Sequence, residues 1–439
     1  GQDPATGANP MCSATGGGGL VTITRTSNFF WTPAVGNWAA SSTRESIANF
    51  GQDSTFLGTG TAGSGNADAN GFGDFKYAVP TGFLALCSAN LPTDSNIDPN
   101  QTDSNIPTKN FNVLSYSSTG GDSYTGLGFQ PDLVWVRWRA GDQGHGLFDS
   151  SRGTSKVLNS DESNAEATSS GLTAFGTDGF TMGNSYNQDG RDYVAWCWRA
   201  NGGTTSTDTN GTITSTVQAN TAGGFSIVTY TGDGTDGASI GHGLGAAPKC
   251  IFVKNRDQAD SWAVYHVGTG NASHLLLDSA SGVTTSSAYW NSFTPSSTIF
   301  KVGTDHKLNA STEKYVAYCW SEVEGYQKFG SHVGNGNTDG IYVYTGFRPK
   351  MFWIKRTDGS HYWYILDSAR DSYNPLSSLL NLEGTISEST HGSSNSIDIL
   401  ANGFKMRTSG GSLNGSGGNF IWAAWADIPY EYSTIADSE

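Results

Sequence analysis

Positive charge, paired cysteines, amphipathic helices and long apolar runs are all scarce in this chain. Its 24 Lys and Arg stand against 39 Asp and Glu, a net charge of −15. That balance argues against a nucleic-acid partner, whose binding relies on Lys and Arg neutralising phosphates. No apolar stretch approaches the ~20 residues that a membrane-spanning helix requires, so membrane insertion is not expected. Five cysteines are an odd number without framework spacing, which excludes a disulfide scaffold and predicts buried free thiols made in a reducing cytosol. No signal peptide is visible, and the chain opens on Gly1 rather than Met, so a processed or trimmed N-terminus is expected. Helix signals are almost missing; the nearest candidate is the short stretch Asp161-Glu-Ser-Asn-Ala-Glu-Ala167.

What the chain does have is glycine, small polar residues and aromatics. Only 36% of it is hydrophobic and 14% charged, yet 12% is aromatic, more than a disordered chain carries. Short aromatic strands joined by Gly/Asn/Ser/Asp turns fit this composition, so the fold class expected is all-β. One hexamer organises the rest. Tyr315-Val-Ala-Tyr-Cys-Trp320 recurs almost unchanged as Tyr193-Val-Ala-Trp-Cys-Trp198, in degenerate form as Phe420-Ile-Trp-Ala-Ala-Trp425, and more distantly at Phe83-Leu-Ala-Leu-Cys87. Six residues without a polar side chain predict a strand buried on both faces, and recurrence predicts a duplicated β-rich unit.

Around each copy the same order of segments returns. Leu133–Trp138, Cys250–Lys254 and Met351–Arg356 are predicted strands that follow turns ending in Pro131, Pro248 and Pro349, which lie 117 and 101 residues apart. Units of that size suit β-sandwiches. Before these turns, strands are expected at Asn112–Tyr116, at Ile213–Val217 and Phe225–Tyr230, and within Ile341–Pro349. The chain is too long for one core, and four parts are expected: 1–108 with a linker, then β-sandwich modules at 109–202, 203–330 and 331–439. The architecture predicted is an array of jelly-roll or lectin-like sandwiches with three internal repeats.

At this level of detail the chain resembles a known group. The segments Gly211–His266 and Tyr315–Arg356 look like a domain of unknown function found in tail-associated and other virion proteins of phages. The stretch Asn49–Pro92, with Gly73-Asp-Phe-Lys-Tyr77, resembles the closing strands of a SPRY, concanavalin-like sandwich. The resemblance implies a virion surface protein with no catalytic residues to transfer, other virion proteins and host-surface glycans as partners, and a homo-oligomer, a trimer among the options.

Chemical motifs are few, and each has a plainer structural explanation. Asp149/Arg152 and Asp367/Arg370 recur in an Asp-Ser-x-Arg loop, which Val264-Tyr-His-Val-Gly-Thr-Gly270 replaces in the second unit. An internal ion pair that shapes the turn is favoured over a ligand site. Gly237-Ala-Ser-Ile-Gly241 spells a hydrolase nucleophile elbow but lacks the following helix. Gly232–Gly237 lacks the helix of a dinucleotide site and reads as a hairpin turn. Asn335–Gly340 lacks the terminal Glu of a calcium loop, so at most a structural Ca²⁺ is expected, and no other cofactor. The eight histidines show no metal-ligand spacing. Of the tryptophans, Trp135, Trp196, Trp320, Trp353 and Trp425 are expected in the core. Trp138, Trp290 and Trp363 fall at strand ends or in loops, where stacking on a sugar is weighed against burial between modules.

No catalytic, metal or ligand-binding residue is therefore singled out. The function expected is a non-enzymatic, lectin-like phage virion protein of the tail fibre, tail tip or capsid surface. A capsid decoration or spacer protein without ligand, and a virion-associated polysaccharide depolymerase whose acids one sequence cannot reveal, stand as alternatives.

Overall fold

The structure is a computed structural model that describes residues 54–55, 65–79, 81, 84–85, 107–141, 143–390 and 396–427. The chain divides into two compact units, Gly1–Pro92 and Thr93–Glu439. In the first, Asn66 and Phe75 form an isolated antiparallel bridge. The Asp68 carboxylate accepts the backbone N–H groups of Asn70, Phe72 and Ala85. The other strands expected in the SPRY-like stretch lie outside the described residues.

The second unit is all-β, and the same strand order occurs three times along it. In the first module the opening strand Phe111–Ser117 pairs with the closing strand Asp192–Trp198. The closing strand pairs in turn with the middle strand Leu133–Trp138, and the middle strand with a fourth, Gly146–Asp149. The second module repeats this order with Phe225–Thr231, Lys314–Ser321, Pro248–Asn255 and Ala263–His266. The third does so with Gln327–Val333, Asn419–Ala426, Pro349–Arg356 and Trp363–Asp367. A smaller sheet faces each main sheet and completes a sandwich. It pairs Ser123–Thr125 with Gly179–Met182, Ala238–Gly241 with Ile299–Val302, and Tyr342–Tyr344 with Gly403–Met406. Among the described residues, only the second main sheet is extended beyond its opening strand, by Ser215–Asn220 and Ser206–Asp208.

The hexamers are the closing strands, and the period of two explains their composition. On one face Tyr193, Ala195 and Cys197 fill the first sandwich, while Tyr315, Ala317 and Cys319 fill the second. On the other face Val194, Trp196, Trp198, Val316, Tyr318 and Trp320 enter one cluster together with Phe420–Ala426. The first two closing strands thus separate a sandwich interior from a core that all three modules share, while both faces of the third belong to that core. At the centre of that core Trp198, Trp320 and Trp425 meet edge to face, their ring centroids 5.9, 5.5 and 6.3 Å apart, an arrangement aromatic quadrupoles favour. Beside the separate cores of the first two sandwiches, a shared core joins the three modules in a closed ring on a tryptophan hub.

Three details depart from the sequence reading. Asp161–Ala167 is not helical: it is loop up to the short strand Ala167–Thr168, because its side chains serve a module junction described below. Ile341–Pro349 does not supply the third opening strand. Tyr342–Tyr344 belongs to the small sheet, and the opening strand is the more polar Gln327–Val333, which spans the expected boundary at 330. Trp290 and Trp363 are fully buried: Trp290 packs edge-on against Tyr265, and the Trp363 indole donates to the carbonyls of Leu276 and Ser279. Neither can stack on a sugar. Cys197, Cys250 and Cys319 are buried free thiols.

Candidate functional site

The recurring Asp-Ser-x-Arg loop is a junction between modules. Asp149 and Arg152 form a fully buried ion pair. The Tyr318 hydroxyl of the second module donates to Asp149 at 2.7 Å. Arg152 also holds Glu166 at 3.1 Å, and Glu166 receives Arg256 of the second module at 2.8 Å. The third module clamps the first in the same way. Asp367 and Arg370 pair at 2.7 Å, the Trp196 indole N–H of the first module donates to Asp367 at 3.1 Å, and Glu388 bridges Arg370 to Arg139 of the first module. Burial opposes ionisation of Glu166 and Glu388, but their paired arginines hold both carboxyls below the usual range.

The junction between the second and third modules is built at the same register positions from different chemistry. Cys250 pairs with His266 where Leu133 pairs with Asp149 and Met351 with Asp367, so His266 stands in the acid's place. Its Nδ1 accepts the Gly268 N–H, so Nε2 carries the proton and donates to the Trp422 carbonyl at 3.2 Å. Burial drives its pKa down to about 3. The backbone bridge that joins Glu166 to Arg256 and Glu388 to Arg139 here joins Val283 to Thr357. Ala423 takes the place of Trp196 and Tyr318, so no side-chain donor exists for an acid to receive.

Every junction also buries a cation. Arg137, Lys254 and Lys355 occupy one register position and reach carbonyls of the neighbouring module: Ile386, Ser163 and Ala280 respectively. Beside them lie Asp161, Asp278 and Glu383. These accept the backbone N–H groups of His145, Trp262 and Trp363, and burial raises all three carboxyl pKa values, that of Glu383 to about 7. Lys355 is pushed down to about 8 by the same desolvation. These groups line the module junctions, where burial disfavours their charged forms.

The other motifs resolve into structure. Ser239 of the elbow-like motif lies in a strand and is bonded to Thr212. The Gly232–Gly237 stretch is loop, with Gly234 and Gly237 at positive φ. Asn335 is held by the Asn414 side chain, which accepts its backbone N–H and donates to its Oδ1. No cluster of three metal-ligating side chains occurs among the described residues. Trp138 is half-buried beneath the Arg191 guanidinium, 3.7 Å from its ring centroid.

The best candidate for a binding surface is the outer face of the third small sheet. Phe180, Phe300 and Phe404 point into the three sandwiches from one register position, opposite Tyr124, Ile240 and Val343. Pleating sends the flanking residues outward. They are Ser123 and Thr125 in the first module, Ser239 and Gly241 in the second, and Tyr342 and Tyr344 in the third. The second pair is covered by the chain at Thr212–Ile213. The tyrosines are 44% and 55% exposed. A Cβ on Gly403 would stand 2.1 Å from the Val343 carbonyl oxygen, as one on Gly179 would stand 1.8 Å from that of Tyr124, so this glycine serves the strand pairing. Tyr342 donates its hydroxyl to Asn402 Oδ1 at 2.6 Å. Lys328 lies with Nζ 4.9 Å from the Tyr344 ring centroid. Opposite Tyr342, Lys405 is paired with Asp339 at 2.6 Å. The sequence shows these tyrosines only as strand aromatics; their outward direction comes from the pairing of Val343 with Phe404.

Residues 106–429 match the model of a family described as a domain of unknown function, DUF7483. No curated protein matches the chain.

Proposed function

We propose that this chain, which belongs to the DUF7483 family, is a non-enzymatic structural protein of a phage virion surface that contacts host-surface glycans through its third module. The observation that carries the reading is the exposed tyrosine pair Tyr342/Tyr344 at positions where the other modules have Ser, Thr or Gly. The sandwich does not need aromatics there, since two of its three versions lack them. Rigid amphipathic rings held at low conformational cost are what a binding face uses.

The ring supports a structural role for the rest of the unit. Asp149, Asp367, Glu166 and Glu388 are committed to arginines inside module junctions, an arrangement that fixes geometry. Labelling assembled particles with an antibody against this chain tests the reading. Signal at a fibre, tail tip or capsid surface is expected. Particles that carry none of the chain would overturn it.

A further inference from the structure

We propose that the outer face of the third module binds an anionic glycan strand, with sugar rings on Tyr342 and Tyr344 and an acid group on Lys328. This deepens the glycan-contact reading above and rests on it.

Spacing comes first. Tyr342 and Tyr344 are two residues apart on one strand and point to the same side, so their side chains leave the sheet about 6.5–7 Å apart. The two exposed rings make a strip along the strand rather than a pocket. Such a strip takes successive rings of a linear polymer, each presenting the positively polarised C–H groups of one sugar face to the negative face of an aromatic ring. The Tyr342 end of the strip is preorganised, because Asn402 fixes the Tyr342 hydroxyl.

Charge selects the class of sugar. Lys405 and Asp339 neutralise each other beside Tyr342, and Arg407 is paired with Asp398. Lys328 has no carboxylate partner among the described residues; its ammonium group lies over the Tyr344 ring. An ammonium group lying over an aromatic face beside a stacking position is placed to receive the carboxylate or sulfate of the sugar stacked there. The equivalent position of the other opening strands holds Asn112 and Ser226, so the cation, like the tyrosines, is particular to the third module. In a chain of net charge −15, an anionic polymer is repelled by most of the surface, and that makes one uncommitted cation on an aromatic strip selective.

The test uses the full chain, immobilised, with three probes: polygalacturonate for the carboxylate, dextran sulfate for the sulfate and dextran for the neutral polymer. At least one charged polymer should bind, and dextran should bind at least about tenfold more weakly. Tyr342→Ala and Tyr344→Ala should each weaken binding by about tenfold or more, with unchanged melting temperature. Lys328→Gln should weaken it severalfold and flatten its salt dependence. The tighter of the two charged probes identifies the acid group. Equal binding of dextran, unaffected by Lys328→Gln, would overturn the anionic assignment and leave the glycan reading standing. Binding of a charged polymer that survives both tyrosine substitutions would overturn the face itself. Failure of all three probes would overturn the inference, while particle labelling would still judge the broader reading separately.

Discussion

The inner seams of the ring and the outer faces of its small sheets use the same fold under opposite constraints. Inside, equivalent positions carry equivalent chemistry: Trp198, Trp320 and Trp425 at the hub, and Arg137, Lys254 and Lys355 as buried cations. Where one seam residue differs, its partners differ with it. His266, Val283, Thr357 and Ala423 replace an acid, a second acid, an arginine and an indole or phenol as a set. Outside, the small-sheet pair runs from Ser/Thr through Ser/Gly to Tyr/Tyr, and in the third module both rings stay exposed. Packing dictates the first kind of position and leaves the second kind open to a ligand.

The seam side of this comparison carries the largest expected effects. Arg152→Ala or Arg370→Ala leaves a buried carboxylate without its counter-ion and should cost about 3–5 kcal/mol by chemical denaturation. A loss under about 1 kcal/mol would mean that the clamps are ornamental. Glu383 sharpens the point through pH. Its carboxyl is raised from 4.5 to about 7, so between those values the folded chain holds a proton that the unfolded chain has lost. Stability should therefore fall as pH rises through that window, by on the order of 2 kcal/mol once partial exposure is discounted. Glu383→Gln should lack that slope.

The unclamped seam should be more forgiving. His266→Ala loses one donor and one acceptor in a packed site and should cost roughly 1–3 kcal/mol, less than either arginine. Because the His266 pKa lies at about 3 in the folded chain, its contribution is complete above about pH 6.5 and is lost as pH falls toward 3. The smallest effect is expected from rebuilding the clamp: Val283→Glu with Thr357→Arg should shift stability by no more than about 1 kcal/mol, since a partly exposed pair is worth little.

How much of this was legible in the sequence depended on how local the cause was. The closing strands were legible because burial on both faces removes every polar residue from a six-residue run. What the two faces bury was not, because the hub joins Trp198, Trp320 and Trp425 from distant parts of the chain. The clamps were hidden for the same reason: Tyr318 and Asp149 are 169 residues apart, and Trp196 and Asp367 are 171. The third opening strand, Gln-Lys-Phe-Gly-Ser-His-Val, hid behind weak alternation, with Gly330 beneath the Trp422 ring and His332 stacked on Phe420. The stronger β signal of Ile341–Tyr344 took its place in the sequence reading. Trp290 and Trp363 sit next to polar residues and look exposed until neighbouring strands cover them. The tyrosine pair was visible as residues, but its direction needed the register of Val343 against Phe404.

The claim that most needs testing is that Tyr342 and Tyr344 serve a ligand and not the fold. The direct measurement is to install the first module's residues, Tyr342→Ser with Tyr344→Thr, and to record thermal unfolding and polysaccharide binding on the same sample. The account predicts a melting curve close to that of the unaltered chain and loss of binding. A drop in stability like that of Arg152→Ala, with binding intact, would contradict it.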